Sequence, residues 1–180
     1  MRDPHVDWLQ YRLECAPATT FQNAPPIEHE TAAFRMTLRD GQIRFDFKEH
    51  HASIEAAQES VADFLRAWEI DVGLAMGPGE VTFAYEDAGV IDRDPPPPGE
   101  PQIASVSVSM AGRASVSFTV MVARASYPMP PSMFKVSPTV ETLWQRYEGY
   151  LAKREPLSSM AYFCLTVVES SLASISTPPR

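Results

Sequence analysis

The stretch that decides the fold is "AFRMTLRDGQIRFDF", Ala33–Phe47. Phe34, Met36 and Leu38 alternate with Arg35, Thr37 and Arg39. Asp40-Gly41 follows, and then Ile43, Phe45 and Phe47 alternate with Arg44 and Asp46. Successive side chains of a strand point to opposite faces, so each run buries one face and wets the other. Asp-Gly between two such runs predicts a two-residue hairpin, because a type I′ turn needs positive φ at both central positions. An antiparallel sheet with one buried face must lie on something, and the next segment supplies it. In "SIEAAQESVADFLRAWE", Ser53–Glu69, the apolar stripe is Ile54, Ala57, Val61, Phe64, Leu65 and Trp68. Glu55, Gln58, Glu59, Asp63 and Arg66 take the other side, and Ser53 is a good N-cap. A helix over 53–69 is expected to cover the sheet.

On the N-terminal side, "DWLQYRLEC" (Asp7–Cys15) alternates from Leu9 onward and predicts a half-buried strand. "APATTFQNAPPIEHE" then reads as a long polar loop. On the C-terminal side, Ile70, Val72, Leu74 and Met76 alternate, "GPG" breaks the chain, and Val81, Phe83 and Tyr85 alternate again. That pattern predicts a second hairpin, which "GVIDR" extends. "DRDPPPPGEP" (Asp92–Pro101) reads as an exposed loop, since four consecutive prolines favour polyproline II. Ile103–Met110 and Val116–Val122 predict a third hairpin around "AGR". "YPMPPSMFKVSP" (Tyr127–Pro138) is a second proline loop. Ser137-Pro138 opens a helix by serine at the cap and proline at the first turn, lined by Val140, Leu143, Trp144, Tyr147 and Leu151. Pro156 opens a last helix running to Leu172.

Strands in runs with helices segregated predict an α+β fold. The sheet is expected to be mainly antiparallel, of about six to seven strands built from hairpins, with one inserted helix and two C-terminal helices. A β-rich domain over 1–126 and a helical segment over 127–180 packed on it are expected.

The totals fit this reading. The chain has 180 residues, of which 44% are hydrophobic and 21% charged, close to an ordinary globular domain. Its 17 prolines far exceed its 8 glycines, and they cluster in loops. A net charge of -8 and a pI near 5.0 disfavour nucleic acid, because a diffuse negative field repels phosphates. The longest apolar run, Met160–Val168, is far short of the ~18–20 residues that span a bilayer. No membrane partner is expected. "MRDPHVDWLQ" has no apolar signal core, and Cys15 and Cys164 form no disulfide framework, so a cytoplasmic location is expected.

Motifs of catalysis are absent. There is no HExxH, CxxC, GxSxG, GxxxxGK[ST] or GxGxxG. His50 and His51 in "KEHH" are neighbours and diverge, so they do not share a metal unless a distant ligand such as His29 joins one of them. Glu86-Asp87 and Asp92 with Asp94 are acidic pairs whose convergence sequence cannot supply. No catalytic residue, metal or cofactor is assigned.

The last helix, in "SSMAYFCLTVVESSL" (Ser158–Leu172), raises the functional question. Met160, Phe163, Leu165, Val167 and Val168 cover most of its circumference, with Tyr162 and Cys164. A helix apolar all round must be buried on all sides, and a sheet face plus one helix cover about half. The expected function is therefore a non-catalytic interaction or assembly domain. It associates with itself or another protein through Met160, Phe163, Val167 and Val168. The alternative is a small-molecule-binding or sensory domain, with a pocket between the sheet and the 127–150 segment built from Tyr127, Trp144, Arg146 and Tyr147.

Four stretches, "ADFLRAWEI", "VIDRDPPPPGE", "YPMPPSMFKVSP" and "RYEGYLAKREPLSSMAYFCLT", resemble an uncharacterised bacterial family, some of whose members are labelled methylamine-utilisation protein MauJ. The resemblance runs from about Phe34 to Glu169. It implies relatives that continue into further helices, and hence a shortened chain as one explanation for an uncovered last helix. It implies no established activity. The arginine-then-histidine motif of helical HEPN-type ribonucleases is missing, since no histidine follows His51.

Overall fold

The computed structural model describes residues 3–94, 122–132 and 135–175, with side chains to 170. The chain divides into two compact units, Met1–Phe134 and Lys135–Arg180.

The first unit is built on the hairpin at its centre. β4 (Phe34–Arg39) and β5 (Gln42–Phe47) pair antiparallel, from Phe34 opposite Phe47 to Arg39 opposite Gln42. Asp40 and Gly41 both take positive φ, 52° and 74°, as a type I′ turn demands. β1 (Pro4–Cys15) pairs with the free side of β5, and β6 (Val81–Asp92) pairs with β1 along its whole length. β3 (Ile27–Glu30) closes the other edge against β4. The sheet order is β3-β4-β5-β1-β6, and every pairing in it is antiparallel. A separate parallel pair joins β2 (Thr19–Phe21) to β7 (Val122–Arg124). The α+β reading holds, with seven strands among the described residues.

α1 (Ile54–Met76) belongs to the same core as the sheet. Ser53 Oγ accepts from the Ala56 amide at 3.2 Å, as an N-cap should. Phe34, Met36, Leu38, Ile43, Phe45 and Phe47 from the hairpin join Val6, Leu9, Tyr11 and Leu13 of β1 and Ala57, Val61, Leu65, Trp68 and Val72 of α1. Edge-to-face ring contacts run from Phe34 and Phe45 through Phe64 to Trp68.

Three segments depart from the sequence reading. Residues 70–76 are the last turns of α1, not a strand, so no second hairpin forms there. Ile70, Val72 and Gly73 are buried beside Ala67 and Trp68, so this end of the helix is covered over a wide arc. A wide apolar arc sampled at every second residue imitates a strand. Gly77, at φ 114°, ends the helix and donates to the Gly73 carbonyl at 2.9 Å. The loop expected at 16–30 contains β2 and β3. β1 also begins earlier than Asp7. Its pairing with β6 slips between Val6 and Trp8, which leaves Asp7 as a bulge and brings both Val6 and Leu9 to the core face. A second slip, between Gln10 and Tyr11, leaves Glu86 extra on β6, where it meets Arg12 in an ion pair.

The four-proline run and all but Val122 of the third expected hairpin lie outside the described residues.

The second unit holds α2 (Pro138–Leu151) and α3 (Leu157–Ile175). Ser137 Oγ caps α2 by accepting from the Val140 amide at 3.2 Å, with Pro138 in the first turn. Lys153, at φ 57°, turns the chain after α2, and the Arg154 amide returns to the Gly149 carbonyl at 2.9 Å.

Candidate functional site

The α2–α3 hairpin is fastened by Arg146. Its guanidinium donates to Glu155 Oε1 at 2.6 Å and lies 4.7 Å from the Phe163 ring centroid. Ser159 Oγ donates to the same carboxylate oxygen at 2.9 Å. Glu155 is 13% exposed at its side chain, while Arg146 remains 44% exposed. Trp144 is buried, donates to Glu148 Oε1 at 2.8 Å and leans on Tyr147 at 5.6 Å.

These contacts set the sides of α3. Met160, Phe163, Cys164 and Val167 recur at steps of three and four, and all are half-buried. Leu157, Tyr162, Leu165 and Val168 are exposed, Tyr162 to 75% and Leu165 to 65%. No described residue of α3 is fully buried. The side chains expected to form the interface thus divide. Val168 is out in solvent, while Phe163 supports the hairpin through Arg146. The residues missing from the expected interface are Leu157, Tyr162 and Leu165. Their signal was the helix's all-round apolarity, but without α2's position the sequence does not say which side α2 takes.

The expected ligand-pocket residues fall in both units. Trp144, Arg146 and Tyr147 belong to the hairpin just described, where Glu155 already holds the Arg146 charge. Tyr127 belongs to the first unit. It is buried, tilts against Phe21 at 5.1 Å, and its hydroxyl accepts from the Gly41 amide at 3.0 Å. It lines a cavity of 540 Å³ together with Leu13, Cys15, Phe21, Asn23 and Asp40. Burial, and then the charge of Glu80, push the Cys15 thiol up, so it is a poor nucleophile. Thr19 Oγ1 donates to Glu80 at 2.7 Å beside it.

The remaining chemistry-bearing residues are placed as follows. His29 stacks on Phe64 at 5.3 Å. The ring beside His50 is His5, from the far end of β1, at 5.3 Å. Glu86 is engaged by Arg12 and by Gln10 Nε2 at 3.3 Å. Asp92 accepts from the amides of Asp3 and Asp94. Among the described residues no three of His, Cys, Asp and Glu gather as a metal site, and no helix is long and apolar enough to cross a membrane.

No protein-family model, no curated protein and no solved structure matches this chain.

Proposed function

We propose that this protein is a non-catalytic assembly domain that associates with a second copy of itself through the outward side of α3. The observation that carries the proposal is the exposure of Leu157, Tyr162, Leu165 and Val168 on one helix. Contiguous exposed apolar surface marks an interaction site. The occupant is argued from charge. The segment Leu157–Val168 carries no charged side chain, so two copies meet there without local repulsion despite the net charge of -8. A two-fold contact of a helix with its own copy is self-complementary and closes after two subunits. A cytoplasmic setting belongs to the same proposal and is supported by the two free thiols. So does membership of the family labelled MauJ, which rests on the four resembling stretches.

Light scattering after size exclusion tests it. The expected result is a discrete dimer, converted to a monomer with unchanged circular dichroism by Leu165→Glu with Val168→Glu. A wild-type monomer, or a dimer untouched by both substitutions, overturns it. Phe163 is left intact in this experiment because it packs under Arg146.

A second reading, small-molecule binding, is favoured by the cavity beside Tyr127. Its mixed lining of Phe21 and Tyr127 rings with Asn23 and Asp40 resembles a site for a small polar-edged ligand. A ligand present at 100 times its dissociation constant would add about 2.7 kcal/mol of stability, readable as a thermal shift that Tyr127→Ala removes.

A further inference from the structure

The start of β1, the end of β6 and the turn between β5 and α1 meet at one corner of the sheet, and three histidines fill it. His5 is buried there. Its Nδ1 accepts from the His51 amide at 3.4 Å, and the Val6 amide donates back to the His51 carbonyl at 2.9 Å. His50 stacks on the His5 ring with 23° between their planes. Arg93, just past β6, donates to His50 Nδ1 at 3.3 Å, and its amide donates to the Asp3 carbonyl at 2.9 Å. His51 lies edge-on to Phe47 at 4.5 Å, and its buried Nε2 has no hydrogen-bond partner among the described residues.

A ring nitrogen that accepts a hydrogen bond carries no proton. Accepting at Nδ1, the His5 ring is therefore neutral in this arrangement. A proton on His5 Nδ1 would remove the acceptor for the His51 amide. It would also place a buried cation among Arg93, His50 and His51.

We propose that this corner is a proton-responsive latch, pinned by neutral His5, which releases the end of β6 and the β5–α1 turn from the start of β1 as the pH falls.

The charges around His5 fix the direction. Burial acts most strongly, followed by Arg93 and His50, with His51 adding to them, and all hold the ring below its ordinary value of 6.5. Asp7, on the same strand, opposes them. From the other elements, Asp3 faces His50 Nε2 at 3.6 Å, and the Asp92 carboxylate is engaged by the Asp3 amide at 3.0 Å. His5 thus takes up a proton more readily with the latch open than with it closed. Opening is favoured as the pH drops through 6.5 toward the lower value of the closed state, by up to about tenfold in the opening equilibrium per pH unit for one proton.

Amide hydrogen exchange and imidazole titration by NMR on the full chain, between about pH 8 and pH 5, test this. The expected result is a His5 midpoint below 6.5 and a joint loss of protection at the amides of Val6, His51 and Arg93, while the β4–β5 ladder stays protected. The latch is overturned if those three amides keep their protection throughout, or lose it only in step with the whole ladder. The substitution His5→Asn keeps an oxygen acceptor for the His51 amide and cannot be charged, so the pH-dependent loss should vanish. Its persistence in that variant sinks the idea. Should the variant fail to fold, the wild-type titration alone decides.

Discussion

Trp8 shows how much one side chain can impose on its neighbours. The Asp7 bulge changes the phase of β1, so Val6 and Leu9 turn to the core while Trp8 lies over Gly89 of the adjacent strand. A Cβ added at Gly89 would collide with the indole ring. Arg44 then sits on that ring at 4.5 Å, a cation–π contact that holds the indole down. Glycine at 89 is thus required by a close approach and not by its dihedral freedom. Gly89→Ala is expected to destabilise the fold by about 1–3 kcal/mol, the usual range for overpacking. Urea denaturation reads this as a lower midpoint at unchanged slope. Two residues in contact should be non-additive, so the same substitution made on a Trp8→Leu background should cost well under half as much. Equal costs on both backgrounds would show that Trp8 is not what forbids a side chain there.

The elements legible in the sequence are those whose pattern is long and unbroken. β4 and β5 each carry three buried apolar residues in strict alternation, and Asp40-Gly41 could fold only one way between them. Their turn allows a sharp test. Gly41 has open space where a Cβ would go, so Gly41→Ala meets no clash and only the cost of φ 74°. Left-handed backbone costs a non-glycine residue roughly 1–2 kcal/mol, and thermal unfolding should show a loss of that size. No loss would mean that the turn has relaxed to another type. β2 and β3 were illegible for the opposite reason. They have three and four residues, with a single buried apolar side chain, Ile27, between them, and the partner of β2 is β7, far along the chain. The last turns of α1 misled because the helix is buried too widely for any one period to stand out. The histidine corner was half legible. The divergence of His50 and His51 is local and readable, whereas His5 reaches them only through the pairing of β1 beside β5. The exposure of α3 was readable as apolarity, but its division into a supporting and an outward side depends on Arg146 crossing from α2 to Phe163.

At the scale of the whole molecule, the first unit's stability at high pH depends on an interior strand of its sheet, β1. Tyr11 of β1 is buried, edge-on to Phe45 at 5.8 Å and to Tyr85 at 5.7 Å. Burial, and secondarily the neighbouring Tyr85, push its phenol up from 10.0 to about 12. The folded form thus keeps a proton that the unfolded chain gives up near pH 10. Below that pH the contribution is fully present, and as the pH rises toward 12 it is lost. A gap of two pKa units corresponds to roughly 2–3 kcal/mol. That is a substantial share of a domain stability of about 5–15 kcal/mol. Tyr85 is 40% exposed, and its own upward shift also comes from burial first, followed by Asp87. Alkaline unfolding followed by circular dichroism is therefore expected to set in between pH 10 and pH 12, with phenolate absorbance at Tyr11 appearing together with the loss of structure. Tyr11→Phe keeps the ring contacts and removes the ionisable group, so its stability should fall less steeply across the same window. An unfolding curve identical to wild type in that variant would assign alkaline sensitivity to some other group and leave Tyr11 a purely apolar member of the core.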